Sequence, residues 1–370
     1  MREYALVLCV AAAVTFLLTP IVRLVAVKWG AMQQPRDRDV HTIPTPKLGG
    51  VAMYGGVAAA LLVAHRMPTL QRTFANSSET SAILIAGGLI CAVGVIDDRW
   101  GLDALTKLAG QIVAAGVMVL LGVQLLLFYL PFGVGTVLLG RDEAVPLTVL
   151  LCVLVVNALN FIDGLDGLAA GVAAIAGLAF FLYAYHLGKV GYGDVAYTPT
   201  LISAVLAGSC IGFLPHNFQP ARTFMGDSGA MLIGLLLASA ATTATTADPQ
   251  SFGSLAGALP LLLPLLIPLI VLAVPFVDLV LAVVRRVKAG RSPFTADKLH
   301  LHHRLLEIGH SQRRAVLLIY FWAALLAFGG VSISITSSPA LVLSMVGALA
   351  VVALVLSSIP RLRALRRPTR

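Results

Sequence analysis

Between Ala5 and Val27 the chain is apolar, broken only by Thr15, Thr19, Pro20 and Arg23, and stretches of this kind recur to its end. About twenty apolar residues are what an α-helix needs to cross a bilayer core about 30 Å thick, at about 1.5 Å per residue. Breaking the runs at charge and turn clusters gives spans at 5–27, 48–65, 81–96, 104–129, 145–158, 167–187, 197–214, 229–246, 256–284, 313–336 and 339–359. Eleven spans leave short connections and no room for a large soluble domain. The expected fold is therefore an all-α polytopic membrane protein, a single integral domain over residues 1–370. Composition agrees: 58% of the residues are hydrophobic and 12% charged, about half the charge of a soluble chain. The runs are continuous rather than alternating, which excludes an outer-membrane barrel.

Three features refine this picture. The first run is too long for a signal-peptide core and reads as a retained span, with Arg23 snorkelling to the interface. Pro260, Pro264, Pro268 and Pro275 cannot all sit in an unbroken helix, so the ninth span is kinked or broken, either beside a substrate path or as a packing device. The fifth span is short, so it must be buried among neighbours or extend into a loop. Glycines at 133, 135 and 140 suggest a small hairpin within 131–144. Cys9, Cys91, Cys152 and Cys210 lie in apolar runs without a CxxC pair and read as small core residues.

The net charge of +9 is a matter of topology rather than of nucleic-acid binding. Alternating sides along the spans puts 21 of the 26 basic residues at or beside segments 28–47, 97–103, 159–166, 215–228, 285–312 and the tail 360–370. Those segments become cytoplasmic, with the amino terminus outside and the carboxyl terminus inside. Ten of the seventeen acids fall on the same face, gathered at span ends. Carboxylates on a face that attracts cations call for bound cations.

In GVIDDRWGLDALTK, Asp97 and Asp98 repel each other unless a metal, a lysine or a proton compensates, or else Asp98 or Asp103 caps the fourth span and the acids are solvated. In NALNFIDGLDGLAAG, Asn157, Asn160, Asp163 and Asp166 recur every three residues, so on a helix they can line one wall. The polar end of a short span explains one or two of them but not four. In HNFQPARTFMGDSGAMLIG, Asp227 and Ser228 open the eighth span, where a carboxylate and free backbone amides suit a metal and phosphate pair or a plain cap. His216, Asn217 and Arg222 are candidate positioning groups. SPFTADKLHLHHRLLEIGHSQRR surrounds His300, His302 and His303 with cations, which favours a pyrophosphate over zinc. HTIPTPKLGG places Lys47 on a proline-stiffened loop. Together the clusters point to metal-assisted phosphoryl transfer at a membrane interface, with one lipid substrate and one from the cytosol.

Taken in order, PTPKLGG, GVIDDRWGLDALTK, NALNFIDGLDGLAAG, FMGDSGAMLIG and HLHHR resemble the polyprenyl-phosphate N-acetylhexosamine 1-phosphate transferases over nearly the whole chain. HLHHR is similar to the H-x-H-H motif of the WecA and TagO branch. The MraY branch, which transfers phospho-muramoyl-pentapeptide, usually has three consecutive histidines, and Leu301 interrupts that run here. The resemblance implies transfer of GlcNAc 1-phosphate from UDP-GlcNAc to a polyprenyl phosphate, decaprenyl phosphate if the likeness to actinobacterial members holds, with release of UMP. It implies a multi-pass protein of a bacterial plasma membrane whose active site faces the cytoplasm, with membrane lipids as surroundings, no nucleic acid as partner, and a homodimer left open. The catalytic set implied is Asp97, Asp98, Asp163, Asn157 and His300. Lys47, Asn160, Asp166, Phe224, His302, His303 and Arg304 would bind substrate, Asp166 and Phe224 at the uridine and the HLHHR residues at the diphosphate. Mg2+, or Mn2+ in its stead, would sit on Asp227 and Asp97. A MraY-like transferase and, in another class, a secondary transporter are the competing readings.

Overall fold

The computed structural model describes residues 1–34, 44–75, 78–130, 135–190, 193–245, 311–336 and 338–365, with single positions at 266 and 290. The expected ninth span, with Asp278 and its prolines, and the histidine loop lie outside the described residues. The other ten expected spans correspond to helices: α1 (Arg2–Trp29), α2 (Gly49–His65), α4 (Glu79–Trp100), α5 (Ala104–Leu120), α6 (Arg141–Ile162), α7 (Leu168–Lys189), α8 (Gly193–Asn217), α9 (Gly226–Ala244), α10 (Gln312–Ile335) and α11 (Pro339–Leu365). A short α3 (Gln71–Ala75) lies between α2 and α4. Among the described residues, seven helices are long and apolar enough to cross a membrane, and α2, α5 and Pro339–Val355 are shorter apolar helices. The protein is a multi-pass helical membrane protein.

At the centre stands α9, whose residues from Ser228 to Ala244 are all buried. It is surrounded by α2, α4, α6 and α8. Around these, α7 packs on α8, α1 on α8 and α2, α10 on α7, and α11 on α10. The outer helices carry their large apolar side chains outward: Leu17, Ile21 and Leu24 of α1 are exposed, as are Leu341, Leu343 and Met345 of α11. That inversion suits a lipid surround, where apolar exposure costs nothing and every backbone polar group must be satisfied inside the helix. Cys9 shares this outer face, so it is exposed rather than the core residue expected.

Three boundaries differ from the expected spans, each for a local reason. The chain leaves α5 at Leu121 and Gly122, the latter at φ 111, a conformation open mainly to glycine. The hairpin comes correspondingly early: β3 (Leu127–Leu130) pairs antiparallel with β4 (Gly135–Leu138), Phe128 opposite Val137. The fifth expected span is not short, because α6 runs on through Asn157 and Asn160 to Ile162. Asn157 is accommodated there by donating to Gln111 Oε1 at 2.7 Å and to the Val153 carbonyl at 2.8 Å.

Close backbone packing brings α2, α4 and α9 together where α9 begins. A Cβ on Gly50 would overlap Gly229 N, and one on Gly94 would overlap the backbone of Ser228. Gly116 on α5 has nothing within 4 Å of the equivalent point. Gly94→Ala should therefore force α4 away from α9, costing about 1–3 kcal/mol, whereas Gly116→Ala should be neutral or stabilise by about 0.5–1 kcal/mol. Thermal unfolding in detergent reads both, and equal melting temperatures for the two variants would contradict the packing.

Candidate functional site

The first turn of α9 needs acceptors for its free N–H groups, and its N-cap residue Met225 supplies no side-chain acceptor. The acceptor comes from α4. Asp98 Oδ1 accepts from Asp227 N at 2.9 Å, and Oδ2 accepts from Ser228 N at 3.1 Å and Ser228 Oγ at 2.9 Å. Its side chain is fully buried. Gly226 is required here twice over: its φ is +69, and a Cβ would strike the Asp98 carboxylate, 2.6 Å from Oδ1. Asp98 was expected in the catalytic set, and here both its oxygens accept hydrogen bonds from the start of α9. Lys47 Nζ stands 3.9 Å from Asp98 Oδ1, so the charge in this pocket is partly offset.

With its backbone fixed, Asp227 presents its carboxylate to three neighbours. Lys107 Nζ and Asn160 Nδ2 both donate to Asp227 Oδ1. Lys107 also forms an ion pair with Asp97 Oδ2 at 2.8 Å, while Asp97 Oδ1 accepts from Leu102 N at 2.7 Å. The lysine is brought there by the start of α5: Asp103 is the N-cap, accepting from Leu105 N at 3.0 Å and Thr106 N at 3.1 Å. These bonds, with that of the Thr106 hydroxyl, hold the exposed Asp103 carboxyl below the usual range. One ammonium group thus joins carboxylates from α4 and α9.

Beyond α6 the polar series does not continue as a helical wall. The helix stops at Ile162, with Asp163 as its C-cap and Gly167 at φ 79 before α7. Burial, followed by the Asp227, Asp98 and Asp166 charges, pushes the Asp163 carboxyl up to about 8. Asp166 Oδ2 accepts from Ala221 N at 3.0 Å, so one of its oxygens ties its own loop to the segment before α9. The buried Asn217 makes a second tie, accepting from Gly167 N and donating to the Thr223 carbonyl, each at 3.1 Å. Tyr320 of α10 donates to the Gly167 carbonyl from the other side.

The PTPKLGG segment completes the frame. Its short strand β2 (Thr45–Pro46) pairs with β1 (Met32–Gln33). The Pro46 carbonyl then accepts from Phe224 N at 2.8 Å and Thr223 Oγ1 at 3.0 Å. Gly49 N donates to the Phe224 carbonyl and Gly50 N to that of Met225. The structure thus brings Lys47, Asp97, Asp98, Asn160, Asp166, Phe224 and Asp227 to one end of the bundle. Asn157 lies on α6 one turn before Asn160, exposed and bonded to Gln111. His216 bonds to the Phe16 carbonyl of α1, and Arg222 is exposed. His300, His302, His303 and Arg304 lie outside the described residues.

Lys107 was missed as a site residue. Its signal was available, since it is a cation one turn into an apolar helix that begins six residues after Asp98. Among the described residues, no three acidic, histidine or cysteine side chains form a complete cage for an ion. Asp97 and Asp227 nevertheless converge on a single cationic group. Two hard oxygen donors of that kind fit Mg2+, which keeps several waters and takes further ligands from substrate phosphates.

The glycosyl transferase family 4 model matches residues 80–245. Decaprenyl-phosphate N-acetylglucosaminephosphotransferase of Mycolicibacterium smegmatis is 52% identical over 365 residues, covering 98% of this chain and 90% of that protein. The protein of the same name from Mycobacterium tuberculosis is 50% identical over the same shares. Undecaprenyl-phosphate alpha-N-acetylglucosaminyl 1-phosphate transferase of Yersinia pestis is 28% identical, over 84% of this chain and 79% of its own.

If Asp98 holds α9, Asp98→Ala should lower the unfolding temperature in detergent through loss of about 1–2 kcal/mol or more of capping, and Ser228→Ala should do so by about 1 kcal/mol. Asp98→Asn, which keeps the shape but only one acceptor oxygen, should fall between Asp98→Ala and the unaltered protein. Unaltered melting of Asp98→Ala would refute the cap.

Proposed function

The chain belongs to glycosyl transferase family 4, and we propose that it transfers GlcNAc 1-phosphate from UDP-GlcNAc to a polyprenyl phosphate, decaprenyl phosphate by its relatives' names, releasing UMP. The observation that carries this reading is the joining of Asp97 and Asp227 by Lys107 at one end of a membrane bundle, where an anionic lipid headgroup and a soluble diphosphate can meet. Trp29 and Trp100 pack edge to face at the ends of α1 and α4, with ring centroids 5.4 Å apart, as befits side chains at headgroup level. The concentration of basic residues on this side supports a cytoplasmic active site in a bacterial plasma membrane.

Asp227 and Asp97 would hold Mg2+, whose bound charge would offset what develops on the transferred phosphate. The acceptor phosphate is already largely dianionic at neutral pH, given a second pKa of about 6. It therefore needs alignment more than a base. Asp98, occupied at α9, is not required for proton removal. The reaction is a single displacement: an acceptor oxygen forms a bond to the sugar-bearing phosphorus as the bond from that phosphorus to the bridging oxygen breaks. The electron pair leaves with UMP. Lys107 and Lys47 supply positive charge beside the phosphates, and Asn160 steadies Asp227. The 163–167 and 217–225 loops, tied together by Asp166 and Asn217, give the uridine end a fixed wall.

A secondary transporter would carry its acids near the bilayer midplane, whereas Asp97, Asp98, Asp163 and Asp227 stand at helix ends. For the MraY-like alternative, the discriminating histidines fall outside the described residues, and donor choice is decided by assay. With the purified protein, Mg2+ and decaprenyl phosphate, UMP should be released from UDP-GlcNAc and not from UDP-MurNAc-pentapeptide; the opposite preference would replace the donor. UMP should not appear without the lipid acceptor. Its release, or a trapped phosphoprotein, would establish a two-step route through the enzyme. Asp227→Asn should lower turnover about 100-fold or more at unchanged melting temperature, and near-normal rates would remove the metal from that residue.

A further inference from the structure

Lys107 has two carboxylate partners and a side chain that is 19% exposed. It stands on one oxygen of each carboxylate that a cation shared by Asp97 and Asp227 would approach: Asp97 Oδ2 and Asp227 Oδ1 both face its Nζ, and Asp97 Oδ1 is taken by Leu102 N. A divalent ion and an ammonium on the same two carboxylates repel each other strongly in surroundings that screen poorly. The lysine can move, because its four-carbon stem carries three rotatable donors. The arms that hold the carboxylates cannot: Asp227 is fixed through Asp98 and Asn160, and Asp97 through Leu102.

We infer that Lys107 and the divalent cation are alternative partners of the Asp97 and Asp227 pair, and that Lys107, on yielding it, donates to a phosphate oxygen of the diphosphate substrate. The inference rests on the proposed placement of the cation at Asp227 and goes beyond it. Lys107 then acts as a resident counter-charge that keeps two partly buried carboxylates from repelling each other and from holding a cation tightly on their own. A diphosphate gives the released ammonium a new partner, so cation and diphosphate favour each other's binding by the same factor. Premature capture of a cation is thereby discouraged, and the phosphate-binding charge is delivered only with substrate.

The test is Mn2+ binding to the full-length protein in detergent, followed by electron paramagnetic resonance without nucleotide. Lys107→Met should bind Mn2+ at least about tenfold more tightly than the unaltered protein, since removal of a like charge within a few ångströms is worth about one to three logarithmic units. Its turnover should fall at the same time. Lys107→Arg, which keeps the charge, should stay as weak as the unaltered protein. Equal or weaker Mn2+ binding by Lys107→Met would overturn the exchange. In the unaltered protein, where folding is not in question, Mg2+ should raise the rate at which an amine-acylating reagent modifies Lys107 severalfold, as read by mass spectrometry. Adding UDP with Mg2+ should lower the rate again. A rate indifferent to Mg2+ would overturn the exchange by a second route. Asp227→Asn separates the two failures: if it binds Mn2+ as well as the unaltered protein does, the cation does not belong to Asp227 and the underlying placement is wrong.

Discussion

The site depends on a buried carboxylate meeting the positive end of a buried helix. Asp98 lies where a charge is expensive and α9 starts where free amides are expensive, and each cancels the other's cost. The arrangement demands glycine at 226 and close backbone approach at 50 and 94, so α2, α4 and α9 form one rigid unit at this end of the bundle. Everything that touches Asp227 inherits its position from that contact. The neighbouring Asp97 shares the turn of α4 but points to Lys107, which is how two adjacent acids come to have different work.

Electrostatically the site is a balance of few charges in a poor solvent. Asp97 and Asp227 share Lys107, Asp98 has α9 and the more distant Lys47, and Asp163 is raised by its burial and its acidic neighbours. Such a group of carboxylates is under-neutralised from within the described chain. It favours whatever brings compensating charge, which gives a physical reason for a cation to accompany an anionic substrate instead of the substrate binding alone.

Much of this was legible in the sequence. Continuous apolar runs fixed the fold class and placed ten helices, and DD, NALNFID and GDS picked out residues that meet in space. Less legible was the division of labour. Nothing in the adjacent pair at 97 and 98 says which acid caps a helix 129 residues later. The three-residue spacing suggested one wall, yet the helix stops at Ile162 and the chain turns at Gly167, φ 79, into α7, so Asn157 and Asp166 ended in different surroundings. In the sequence Lys107 is a lone lysine near a helix start, with nothing beside it to name its partners. Only the fold reveals that it reaches two carboxylates from separate helices.

The pairing of the Pro46 to Gly50 segment with residues 223 to 225 joins positions up to 178 residues apart. A ribosome delivers α1 and α2 to the membrane long before α9 exists. Until then the Pro46 carbonyl and the amides of Gly49 and Gly50 lack their partners. The early helices must therefore wait in the bilayer with this edge open. The centre assembles only as α9 slots between helices already inserted, so biogenesis itself keeps the chain inactive until most of it has been made.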